Sequence, residues 1–217
     1  MIIPYKDDSP RVLIPYVTYA LVGMNVVIFL FQNISTPAFT NSLAIIPQKV
    51  SENFTYYVMT LFTSMFLHGG LMHLGGNMLY LWIFADNIES VLGHVKFIIF
   101  YLASGLAAGI LQTVIDPGST IPVIGASGAI AGVLGAYMIT FPRARVHTLV
   151  FLFVFITTIR IPAIYVLGFW FLFQLTNGLI TIGIDTTGGI AWFAHIGGFI
   201  AGIGFITAIK MIRIERD

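Results

Sequence analysis

The sequence predicts an all-α integral membrane protein, a bundle of six transmembrane helices over residues 12–209 flanked by short tails at 1–11 and 210–217. Three observations predict it. Charged residues make up 9% of the 217-residue chain, against roughly 25% in an ordinary soluble domain. Hydrophobic residues make up 58%, and the mean hydropathy is +0.94. The apolar residues also fall into long uncharged runs. Ten basic and nine acidic side chains cannot supply the polar skin that a soluble globule of this size needs. A free cytosolic enzyme, a nucleic-acid-binding module and a disordered chain are thereby excluded. With no cysteine there is no disulfide framework and no thiolate ligand or nucleophile. The net charge of +1 points to no partner.

A span needs ~20 apolar residues at 1.5 Å rise, and in lipid the backbone must satisfy its own hydrogen bonds as a helix. The first span is expected at residues 12–31. Lys6, Asp7, Asp8 and Arg11 precede it with no short apolar core and cleavage site, so the N-terminus reads as a tail rather than a signal peptide. Residues 32–67 form a long, half-apolar outer loop that lies partly in the outer leaflet. The second span starts near Leu71 and runs into residues 86–89; the others are expected at 97–115, 121–141, 161–184 and 186–209. Residues 146–159 are uncharged between Arg145 and Arg160 but too short to cross, and read as an interfacial or re-entrant piece. With both termini inside, nine of the ten basic residues, Lys6, Arg11, Lys96, Arg143, Arg145, Arg160, Lys210, Arg213 and Arg216, fall on the inner side. Only Lys49 lies outside, which is a strong positive-inside pattern.

Polar side chains at membrane depth are functional candidates, because burying them unpaired costs several kcal/mol. Four stand out: His73, Asn77, Ser127 and His195. Ser127 lies in IPVIGASGAIAG (121–132), where Pro122 suits a helix start and glycines flank the serine. Near a helix N-terminus, backbone N–H groups without intrahelical partners can stabilise an oxyanion. Read alone, Ser127 is as readily one more small residue in the packing stripe Gly125, Gly128, Gly132 and Gly135. His195 shifts that balance. In AHIGGFIAG (194–202) it shares a face with Gly198 and Gly202, and two glycine faces allow backbones close enough for Ser127 Oγ to reach an imidazole nitrogen. In HGGLMHLGGN (68–77), His73 and Asn77 are four apart and point donors to one side of a helix. His68 reads as structural, tying the outer loop down. No metal-ligand spacing occurs, and neither metal nor organic cofactor is implied. Asp86 and Glu89 sit near the inner end of their span, and Asp116 and Asp185 in outer turns, so the chemistry would be a Ser–His dyad without a third acid.

These motifs together resemble the rhomboid family of intramembrane serine proteases, over nearly the whole chain. The resemblance implies a six-helix rhomboid-like fold with Ser127 as nucleophile and His195 as base and then acid. It implies His73, Asn77 and the Ser127 N–H as oxyanion-stabilising groups, and a structural role for Glu89. The implied substrates are single-span transmembrane proteins, unwound near the outer face and cut there. Two positions depart from the family. Met59 and Thr60 stand where many members carry a Trp-Arg pair, so the outer loop needs another anchor. Ala131 stands where an aromatic often packs on the catalytic histidine, so something else must orient His195.

Two rival functions remain. A catalytically inactive rhomboid-like protein that binds membrane clients would be expected to lack the serine or the histidine. A small polytopic transporter would be expected to show broken helix pairs and central charges. Short outer loops and the lack of an organelle-targeting segment favour a bacterial or archaeal plasma membrane with both termini cytoplasmic. Reporter fusions at Asp217 and near Arg145 should therefore both read inside, and an outside reading at Asp217 would require a seventh span.

Overall fold

A computed structural model describes residues 2–10, 12–152, 155–182 and 189–214. Arg11, Asp185 and Arg216, used above in charge placement, lie outside the described residues, as does the end of the expected tail at 210–217. Among the described residues the longest helices are α1 (Tyr16–Ile34), then after a loop α6 (Leu71–Leu92), α7 (His94–Ile115), α8 (Ser127–Thr140), α9 (Ala163–Thr181) and α10 (Trp192–Ile214). Of these, α1, α7, α9 and α10 are long and apolar enough to cross a membrane by length and composition. Helix α6 carries its polar side chains at both ends, and α8 has 14 residues, roughly 21 Å at helical rise.

The boundaries move from those expected for local reasons. Pro15 holds α1 back to Tyr16. The expected helical start at 121 is overturned: residues 121–125 lie outside any helix, with Val123 bridged antiparallel to Ile45 and the Gly125 N–H donated to Ser64 O at 2.9 Å, and Ala126 is the N-cap of α8. Gly125 has φ +123°, a backbone that breaks any helix before the serine.

In the segment 146–159, expected to be interfacial or re-entrant, the described residues form two paired β-strands. Strands β2 (Arg145–Leu152) and β3 (Phe155–Pro162) pair antiparallel, and β1 (Ile2–Asp7) adds on the other edge of β2 with a bulge between Pro4 and Lys6. The β-branched and aromatic residues of this stretch are what a strand prefers. This three-stranded sheet is an addition to the helical bundle that the sequence did not suggest. It is tied to the bundle by Asp7, whose carboxylate accepts from Tyr137 Oη and from Asn87 Nδ2 (3.1 Å), while Asp8, whose Oδ1 lies 2.7 Å from His147 Nε2, fastens the end of β1 to β2. Burial raises the Asp7 carboxyl above its ordinary value, with the Tyr137 hydroxyl working in the opposite direction.

The outer loop is folded into four short helices, α2 (Pro37–Leu43), α3 (Pro47–Glu52), α4 (Phe54–Tyr57) and α5 (Thr60–Thr63). The anchor that Met59 and Thr60 do not supply comes from elsewhere. Ile45, Val50 and Leu61 form a small buried cluster, and Ile45 and Leu61 lie against Gly109 of α7. The Gln32 side-chain amide clamps the His68 backbone at both N–H and C=O (3.0 and 2.8 Å).

At the other end of the bundle Glu89, fully buried, accepts from the first-turn N–H groups of Val17 (2.9 Å) and Thr18 (2.8 Å), from Thr18 Oγ1 (2.7 Å), and pairs with His94 Nδ1 (2.6 Å). Those N–H groups have no intrahelical acceptor and α1 has no side-chain cap of its own, so a carboxylate from α6 caps it and favours the helix N-terminus electrostatically.

Helix α8 is the centre, with every residue from Gly128 to Tyr137 buried. It lies between α7 and α10. A methyl group built on Gly198 would overlap the Gly128 carbonyl oxygen, and one on Gly202 the Gly132 carbonyl oxygen, so α8 and α10 meet backbone to backbone. On the α7 side, Gly128 leaves 2.6 Å for such a methyl beside Ala108 Cβ. Gly202→Ala, the smallest possible change, should therefore push α10 off α8; a displacement of ~1 Å in a reacting pair can cost ~100-fold. Turnover and thermal midpoint should both fall, and wild-type turnover would show that this contact does not set the spacing of the helices.

Candidate active site

Ser127 is the first residue of α8, and its N–H, with that of Gly128, faces out of the helix without an intrahelical acceptor. His195 lies in the first turn of α10. The Ala194 N–H just before it is received by Gln112 Oε1 of α7 at 3.2 Å. Because glycine faces bring α8 and α10 together, His195 Nε2 stands 2.8 Å from Ser127 Oγ. Hydrogen-bond contact between a serine and an imidazole is what proton removal from the hydroxyl requires.

His73 and Asn77 approach from α6. The Gly69 N–H is donated to His73 Nδ1 at 3.3 Å, which leaves Nε2–H as the donor of a neutral ring. That Nε2 stands over Gly125: a methyl there would lie 2.7 Å from His73 Nε2 and 3.5 Å from Asn77 Nδ2. Asn77 is buried, and its Nδ2 has no hydrogen-bond partner. Two side-chain donors and the first-turn N–H of α8 thus converge beside the serine. All four sequence-selected residues line one cavity of about 990 Å³. Every one of the four is brought to the same place.

His68 stays out of this group. Its ring is buried against His73 with centroids 5.1 Å apart, and neither ring nitrogen has a hydrogen-bond partner. Burial, with a smaller push from His73, lowers it to about 4, so it is neutral at neutral pH.

Sequence reasoning missed two side chains of α9. His195 Nδ1 lies 2.8 Å from Gln174 Oε1, and Trp170 sets its ring beside the imidazole at 5.9 Å between centroids, tilted by 36°. Ala131 itself is fully buried and faces Gly198, so the contacts to the imidazole come from α9 instead. The signal was available: α9 holds two carboxamides in an apolar span, and the rule that singled out His73 and Asn77 applies equally to them. Asn177 satisfies itself on Phe173 O at 2.7 Å, whereas Gln174 is 5% exposed and reaches across to α10.

The model of the Rhomboid domain matches residues 55–212. Rhomboid protein 1, mitochondrial, of Saccharomyces cerevisiae is 29% identical over 92% of this chain and 54% of its own length. Rhomboid protease GluP of Bacillus subtilis is 31% identical over 91% of this chain and 35% of its own. The presenilin-associated rhomboid-like protein, mitochondrial, of Mus musculus is 33% identical over 66% of this chain and 36% of its own. The chain thus spans between about a third and about half of the length of these relatives. With the domain match covering most of the sequence and the residues of its motifs gathered in one cavity, the chain belongs to the rhomboid family.

Proposed function

We propose that this membrane protein is a serine endopeptidase that cleaves single-span transmembrane proteins near the outer membrane face. The observation that carries the proposal is the 2.8 Å contact between Ser127 Oγ and His195 Nε2 inside a cavity into which Asn77 aims an unpartnered donor. In this reading His195 Nε2 removes the Ser127 proton as Oγ attacks the scissile carbonyl. The negative charge that develops on the carbonyl oxygen is received by the Ser127 N–H, Asn77 Nδ2 and His73 Nε2–H. The imidazolium then gives its proton to the leaving amine, and a second round with water frees the acyl group from Oγ. The substrate segment must unwind first, because a helix hides its carbonyls in its own hydrogen bonds. No metal or organic cofactor enters these steps.

The name of the Bacillus subtilis relative, a protease, supports the reaction class. The presence of both reacting groups, bonded to each other, favours a protease over a client-binding relative. The relatives with mitochondrial names conflict with the expected bacterial or archaeal plasma membrane, so the assignment narrows to a multi-pass protein of a cellular membrane, its tails at 1–11 and 210–217 on one side.

The test is cleavage of a model single-span substrate by purified, reconstituted protein. Ser127→Ala and His195→Ala should each abolish turnover, and the double variant should be no worse than either, as expected of groups acting as a unit. Substantial turnover by Ser127→Ala overturns the mechanism.

The oxyanion groups are tested separately. Asn77→Ala should lower the turnover number about 10–1000-fold with little change in substrate affinity, the range for one lost donor. Gly125→Ala should act the same way from the backbone side, since its methyl would fill the space beneath both donors and force a β-carbon into φ +123°. Weakened binding with unchanged turnover in Asn77→Ala would make Asn77 a substrate-holding residue instead.

A further inference from the structure

We propose that Gln174 is the positioning residue of His195: its Oε1 holds the imidazole proton on Nδ1 and so keeps the Nε2 lone pair available to Ser127. The inference rests on the reading of His195 as the base of the proposed protease. It adds a third, uncharged member to what the sequence presented as a pair.

The argument begins with α9. Its buried residues are Ala163, Leu167, Gln174 and Gly178, while Phe169, Leu172, Phe173 and Leu179 on its other faces are exposed to the surroundings of the bundle. A helix that turns most of its apolar side chains outward has nonetheless turned a carboxamide in. Burying an unpaired amide at this depth costs free energy, and Gln174 offsets that through His195 Nδ1 at 2.8 Å.

A neutral imidazole carries one N–H, and the tautomer is set by what the other nitrogen meets. A serine hydroxyl can be deprotonated only by a bare Nε2. The amide oxygen accepts and cannot donate, so contact with it requires the proton on Nδ1. The same oxygen remains matched after Nε2 takes the serine proton, because both nitrogens of the imidazolium are donors. Its dipole then faces a positive ring. A carboxylate in this place would bind the imidazolium more strongly, yet its own charge would have to be buried beside an apolar, membrane-facing helix, at several kcal/mol. A carboxamide supplies the acceptor without that charge. One turn before Gln174, Trp170 lies along the imidazole and also against Phe199, and so limits rotation of the ring while Gln174 fixes its proton.

The experiment uses the full-length chain in bilayers with the model single-span substrate, and compares wild type, Gln174→Leu, Gln174→Glu and Ser127→Ala. Loss of an orienting carboxylate in a serine protease triad costs ~10⁴-fold, and loss of a neutral acceptor should cost less, about 10–100-fold. Gln174→Leu should therefore lower kcat by about 10–100-fold with KM within about twofold. Gln174→Glu, which regains an acceptor oxygen whether or not it is ionised, should recover most of that loss. The thermal midpoint of Gln174→Leu should stay close to wild type, and only that of Gln174→Glu should fall, where its carboxyl ionises. In parallel, ¹⁵N NMR of histidine-labelled protein, with the His195 signals assigned by their absence from His195→Ala, reads the tautomer without any need for turnover. His195 should carry its proton on Nδ1 in wild type and shift towards Nε2–H in Gln174→Leu. Wild-type kcat in Gln174→Leu, a loss that Glu does not recover, or a wild-type His195 protonated on Nε2 each overturns the positioning role. If wild type fails to cleave, or Ser127→Ala cleaves equally well, the proposed protease reading fails instead, while the NMR arm still decides what Gln174 does.

Discussion

Backbone against backbone is how α8 and α10 meet, and most other features of the bundle follow from that approach. At Gly198 and Gly202 the space for a side chain is already filled by the carbonyl oxygens of Gly128 and Gly132. In lipid, burying apolar area gives helices little reason to associate, so close packing by small residues has to hold them together. It also fixes a distance. A serine at the head of one helix and a histidine on the other come within hydrogen-bond reach because nothing larger than a hydrogen atom separates the two backbones.

The remaining elements hold this central pair in place from different sides. Helix α7 packs against the other side of α8 and receives the Ala194 N–H through Gln112. Helix α6 contributes His73 and Asn77 at one end and Glu89 at the other, where it caps α1. The outer loop is pinned to α7 by Ile45 and Leu61 and to the extended lead-in of α8 by the Ile45–Val123 bridge. Gly125 ends that lead-in with a backbone available to few other residues, so the first-turn N–H groups of α8 face the cavity rather than continuing a helix. The sheet braces the opposite end through Asp7, which reaches Asn87 and Tyr137.

Much of this was legible in the sequence, at particular levels. Long uncharged runs located each of the six helices, because hydropathy reports burial in lipid directly. Their ends were read less well: hydropathy is blind to caps and φ angles, so 121–126 looked like the top of a span when the Gly125 backbone and the pairing of Val123 to Ile45 keep 121–125 out of the helix. The strands were hidden because an apolar run too short to cross a membrane has several possible fates, and strand pairing between residues 2–7 and 145–152 is a long-range fact that no local window contains. Ser127, His195, His73 and Asn77, which line one cavity, could be singled out because each is a polar group in a motif. Gln174 was missed because it stands alone, in an unremarkable stretch of α9, and only the packing of α9 on α10 gives it a partner.

The order of these residues along the chain has a consequence for biosynthesis. Chains emerge N-terminus first, and Ser127 enters the membrane well before Gln174 and before His195, which is 68 residues further on. Until α10 docks into the glycine face of α8, the serine has a helix N-terminus around it but no imidazole to take its proton. Among the helices that build the site, α10 is thus the one that completes the proposed dyad. On that reading, a chain whose α10 has not yet docked holds the serine without its base.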